Sequence, residues 1–166
     1  MLSHPCHDER LALPVAEGAL LWSMRAWVAG LRHDVQSEQR ITEVLTRLGA
    51  PHATGYLLGF MFTLRHGAVR AIRVSCPCQP RISADEQALL GVFALAQDGQ
   101  SFEAMLALRG LVTPAAAAAA YQSAEGVAGE LRRAGWLLTP PESDAARHYA
   151  LATEARPGWP AGAVIH

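Results

Sequence analysis

The chain has no lysine and no asparagine. All 14 of its basic side chains are arginines, set against 15 Asp and Glu for a formal net charge of −1. With no global field, long-range attraction to a nucleic acid or an anionic membrane has no source, although a local basic face remains open. The all-arginine usage reads first as GC-rich coding and only second as selection for guanidinium contacts. Charge of either sign is scarce, at 17% of residues against 51% hydrophobic ones, where about 25% charged is usual. So thin a polar cover predicts that some apolar surface lies against a partner.

Three cysteines are an odd number and do not suit a secreted disulfide scaffold. The first residues lack the basic-then-apolar order of a signal peptide. The densest apolar stretch, Tyr56 to Leu64, is far short of the roughly 20 residues that span a bilayer. A cytoplasmic, bacterial-type protein without a membrane partner is the expectation. Nucleophile-elbow, phosphate-loop, dinucleotide-loop and H-E-x-x-H patterns are all missing, so an enzyme is not expected. At 166 residues the chain suits one domain, large enough to bury roughly 70% of its unfolded surface without disulfide or metal.

What is present is helical periodicity. Leu20, Met24, Trp27, Val28 and Leu31 predict a first helix over about 16–31, with Gly18, Arg25 and Arg32 along another face and Trp22 close to it. Ile41, Val44, Leu45 and Leu48 mark a second helix, opened by Ser37 as cap and closed by Gly49 and Pro51. A third, from Pro51 or His52 to Leu64, is apolar nearly all round and belongs in the middle of a bundle. Its Gly55 and Gly59 stand four apart and admit a close backbone, within the chain or from a second copy.

Val69 to Ser75 fits neither period cleanly, and is a short strand or an extended connector. Ser83 and Glu86 form a capping box for a fourth helix ending near Gln97, with Leu89, Leu90, Phe93 and Ala96 inward. A fifth begins near Ser101 and carries Phe102, Met105 and Leu106. Thr113-Pro114 starts a sixth, through the alanine run 115–120 to Ala134, as one helix or two. The fold expected is mainly α: a single-domain bundle of five to seven short helices around a central apolar helix, with a short strand or β-ribbon admitted. Residues 1–14 read as a flexible N-terminal segment, 15–138 as the helical domain and 139–166 as a loosely structured C-terminal segment.

Chemistry concentrates in Ser75-Cys76-Pro77-Cys78-Gln79-Pro80, which sets two thiols one residue apart. Cys76 and Cys78 can ligate zinc or iron if Cys6, His4 or His7 completes a set of about four ligands. The pair can also sense oxidation, although a disulfide between cysteines this close is strained. Cys76-Pro77 is further similar to a dipeptide of some haem-responsive loops. Against these stands a proline-rich connector with two small buried residues. His33 and His66 fall at expected helix C-termini, where an imidazolium is favoured by the dipole.

Ser123 to Leu138 resembles the recognition helix and following strand of winged-helix regulators: a polar helix start, spaced Val127 and Leu131, then Gly135 and an apolar run. The resemblance implies a wing over 139–146, a returning strand over 147–151, and phosphate contacts by Arg132, Arg133 and Arg147. Glu125 and Glu130 would face the polyanion and weigh against nucleic acid. Trp22 and Trp159 are candidate interface anchors, with Gly55 and Gly59. The leading reading is a non-enzymatic interaction or regulatory module that self-associates as a homo-oligomer. A thiolate metal or redox sensor and a DNA-binding regulator are its rivals.

Overall fold

The structure, a computed structural model, describes residues 13–33, 36–139 and 164–165. Among these the chain forms six helices, α1 (Val15–His33), α2 (Ser37–Arg47), α3 (Ala53–Gly67), α4 (Ala84–Gln97), α5 (Ser101–Arg109) and α6 (Pro114–Arg133). Two short strands, β1 (Ile72–Arg73) and β2 (Val164–Ile165), pair antiparallel with Ile72 opposite Ile165 and Arg73 opposite Val164. The mainly α bundle expected from periodicity is the fold observed. No helix among the described residues is long and apolar enough to cross a membrane.

Local chemistry explains most helix ends. Ser83 is extended, its hydroxyl accepts the Glu86 N–H, and the Glu86 carboxylate takes the Ser83 N–H in return. Thr113 accepts the Ala116 N–H with Pro114 in the first turn of α6, where a missing N–H costs nothing. Gly49 and Gly135 leave α2 and α6 with φ of 78° and 89°, a left-handed conformation that side chains with a Cβ resist. Ser37 differs from expectation: Gln36 occupies the cap position without a side-chain bond, and Ser37 is the first helical residue.

The core lies around the second half of α4, where every residue from Leu89 to Gln97 is buried. Helix α4 packs against α1, α5, α6 and β1, and Phe93 meets Phe60 of α3 at 4.7 Å between ring centroids. Helix α3 is less central than its composition predicts. Leu57, Phe60, Met61 and Leu64 turn inward, while Tyr56 and Phe62 are 45% and 50% exposed. A helix with neighbours on one side has no place for apolar residues on its other side. In α5 Ala104 and Leu108 are buried, whereas Phe102 and Leu106 lie two residues out of step with them and face solvent.

The alanine run forms the first part of a single 20-residue helix, which buries Ala117, Ala120, Ala124, Val127, Ala128 and Leu131. These small side chains let α3 come close along α6, the most extensive helix pair in the bundle. Beyond α3 the chain extends. Val69 N donates to Leu111 O, Thr113 N donates to Gly67 O, and Ala68 bridges Val112. This tie aims residues 68–75 across the start of α4.

Candidate functional site

The cysteine loop is held from beneath by charges that the linear pattern does not connect. Arg25, near the middle of α1, is 4% exposed and Glu86, in the first turn of α4, is fully buried. The Arg25 Nε and Nη2 donate to the two Glu86 oxygens at 2.7 and 2.9 Å. The same guanidinium reaches on to the loop, donating to Gln79 O at 2.6 Å and Arg81 O at 2.7 Å. Glu86 accepts three further donors, the amides of Ser75 at 2.8 Å and Ser83 at 2.7 Å and the Ser75 hydroxyl at 3.4 Å. Beside it, Asp85 takes Arg70 in a two-pronged pair at 2.7 and 3.0 Å, and accepts the Arg73 N–H at 2.7 Å.

Planar guanidinium–carboxylate pairing of this kind is among the stronger polar interactions. Here it lets the buried charges answer backbone groups that no helix or sheet satisfies. Burial alone would raise the Glu86 pKa. Hydrogen bonds from Arg25, Ser83 and Ser75, with the positive charge of Arg25, outweigh it and hold the carboxyl below its ordinary value.

Both sides of the loop are thus fixed, at Arg73 and Ser75 on entry and at Gln79 and Arg81 on exit. At its tip Cys76 and Cys78 are exposed and joined by a disulfide, with Cα atoms 5.5 Å apart. Cys76 O accepts the Gln79 N–H at 3.0 Å, closing a turn, and the Cys78 N–H points at Cys76 Sγ, 3.3 Å away. Between the loop and α1 runs a groove of about 400 Å³, with Pro77, Pro80 and Ile82 on one wall and Leu13, Gly18 and Trp22 on the other.

The candidate residues fall into three groups. Cys76 and Cys78 are brought together, while Cys6 and His7 lie outside the described residues, where the other proposed metal ligands also fall. Among the described residues no three of His, Cys, Asp and Glu cluster as metal ligands. Trp22 is half-buried in the groove wall, and Trp159 lies outside the described residues. A Cβ on Gly59 would meet Ser123 Oγ of α6 at 3.4 Å, so this glycine serves contact within the chain, whereas Gly55 faces open space.

Arg132 donates to Gln97 O at 2.6 Å, Arg133 pairs with Glu130, and Arg147 lies outside the described residues. The segment from Ser123 belongs to the long α6, with Ala124, Val127, Ala128 and Leu131 turned into the bundle. Residues 136–139 form no strand; Leu138 N donates instead to the Gln97 side chain at 2.8 Å.

Arg25, Asp85, Glu86 and Arg70 were not singled out as functional by pattern. One signal was present. Arg25 stands four after Leu21 and three before Val28, both buried, so a charge sits inside an apolar stripe and requires a partner. The chain matches no family model, no curated protein and no solved structure.

Proposed function

We propose that the chain is a non-enzymatic regulatory module that responds to thiol oxidation at Cys76 and Cys78. The observation that carries this is the meeting of two exposed sulfurs at the tip of a loop already fixed by buried charge. A bond spanning two residues closes the shortest of loops and contributes little to holding a fold. The Arg25–Glu86 clamp performs that task without it. Making or breaking the bond therefore acts locally, on Pro77 and the groove that Pro77 shares with Trp22. Exposure of both cysteines leaves them open to exchange with disulfides in solution.

The test is titration of the full chain with and without prior reduction, with helicity and tryptophan emission followed in parallel. The expected result is two additional thiols on reduction, recovery of the bond with oxidised glutathione, unchanged helix content, and an emission change that Trp22→Phe abolishes. Loss of helix content on reduction would make the bond structural and overturn the reading. Stoichiometric zinc or iron in the purified chain, lost on Cys76→Ser, would assign the loop to metal instead.

A second reading, self-association, is favoured by a different face. Leu31 and Phe62 line one groove and are 45% and 50% exposed, and Phe62 stands edge-on to Trp27 and stacked on His66. Sedimentation of the native chain and of Phe62→Glu tests it. A native dimer that the variant loses supports it, and a native monomer removes it.

A further inference from the structure

We infer that the two cysteines are not equivalent: Cys76 is the sulfur that attacks and Cys78 the one that resolves, toward a disulfide of low molecular weight. This rests on the redox reading above and assigns its order of events. Among the described residues, the one amide aimed at a sulfur is that of Cys78, which meets Cys76 Sγ at 3.3 Å. A donor on a sulfur stabilises the anion, and the anion is the nucleophile.

The donor in this arrangement belongs to the backbone, and its place after Cys76 is set by the sequence. Pro77 has no N–H, so the first amide after Cys76 is that of Cys78, two residues on. Asp and Asn place a side-chain acceptor on the same i+2 amide in turns. Proline also fixes φ between the two cysteines. The turn is pinned on its far side by Gln79, whose N–H goes to Cys76 O and whose carbonyl takes Arg25. Neither of these two bonds of Gln79 involves a sulfur, so reduction removes neither donor nor acceptor.

In the step itself, the Cys76 thiolate attacks one sulfur of the incoming disulfide. A Cys76–S bond forms, the incoming S–S bond breaks, and one thiolate leaves. Cys78, losing its proton to solvent, then attacks Cys76 Sγ. The internal disulfide forms and the second thiolate leaves. The two protein thiols are oxidised, and one disulfide is reduced to two thiols.

The experiment uses the full chain carrying Cys6→Ser, reduced and desalted, with Ellman's reagent as the aryl disulfide. Cys76→Ser and Cys78→Ser are added singly to that background. The parent releases two equivalents of aryl thiolate and keeps no adduct. Cys78→Ser releases one equivalent and keeps a stable mixed disulfide. A tenfold gain in thiolate fraction, offset by the lower nucleophilicity of a more stable anion, leaves a rate advantage of about threefold. Cys78→Ser is therefore expected to react about threefold or more faster than Cys76→Ser below pH 8, with the order inverting at high pH, where both are ionised and the more stable anion is the weaker nucleophile. Equal rates at all pH values, or Cys76→Ser the faster below pH 8, overturn the assignment. If the parent retains the aryl group, the redox reading itself fails.

Discussion

Two seams of this bundle are joined by opposite means. Where α3 meets α6, the contact is made of small and apolar groups. A Cβ on Gly67 would overlap Ala116, and one on Gly126 would overlap the Tyr56 ring. Where α1 meets α4, the contact is made through Arg25 and Glu86, both nearly without solvent exposure. The first seam joins helix to helix, and each partner satisfies its own backbone. The second holds irregular chain, whose amides at Ser75 and Ser83 and carbonyls at Gln79 and Arg81 must be answered by side chains. Shape suffices for the one, and buried charge is spent on the other because the loop's own Cys76–Gln79 turn leaves those four backbone groups unanswered.

The comparison is broken most severely at the charged seam. Glu86→Gln leaves Arg25 buried without an anion, and a loss of about 3–5 kcal/mol is expected in urea denaturation. The same carboxylate makes stability depend on pH. Its pKa is lower in the folded chain than in the unfolded one, so its contribution is complete above the unfolded value. As pH falls, the unfolded chain takes up the proton first. The contribution drains below that value and is gone once the pH passes through the folded one. Denaturation midpoints from neutral to acidic pH should fall more in the native chain than in Glu86→Gln.

The apolar seam breaks less. Gly67→Ala forces α3 from Ala116, where neither side can yield without moving backbone, and about 1–3 kcal/mol is expected. Gly126→Ala should cost less, since Tyr56 is 45% exposed and can swing outward. The smallest effect has the opposite sign. Gly55 has no neighbour within 4 Å of a built Cβ, so Gly55→Ala should stabilise by about 0.5 kcal/mol through lower backbone entropy in the unfolded chain. Thermal melts of the three glycine variants order them directly.

Legibility in the sequence followed the range of each interaction. Thr113-Pro114 and the Ser83–Glu86 box were readable because cap and partner sit three residues apart. Glu86 was nonetheless half-read, since the carboxylate that caps α4 also takes an arginine 61 residues away. Phe62 misled in the other direction, because hydrophobicity fixes no phase until the neighbours are known. The cysteine pair stood out from its spacing. What fixes it in place did not, because Arg25 resembles any surface arginine until Leu21 and Val28 are seen to be buried around it.

The reach of Arg25 also sets an order in time. Its bonds to Gln79, Arg81 and Glu86 span 54, 56 and 61 residues, and closing so long a stretch of chain comes slowly compared with coiling a helix. During synthesis α1 must wait for α4 to emerge before the loop has anything to rest on. The two thiols therefore pass through a period as ordinary flexible peptide, open to whatever oxidant or metal surrounds the nascent chain. Only when the last of the three partners is met do they acquire a fixed geometry.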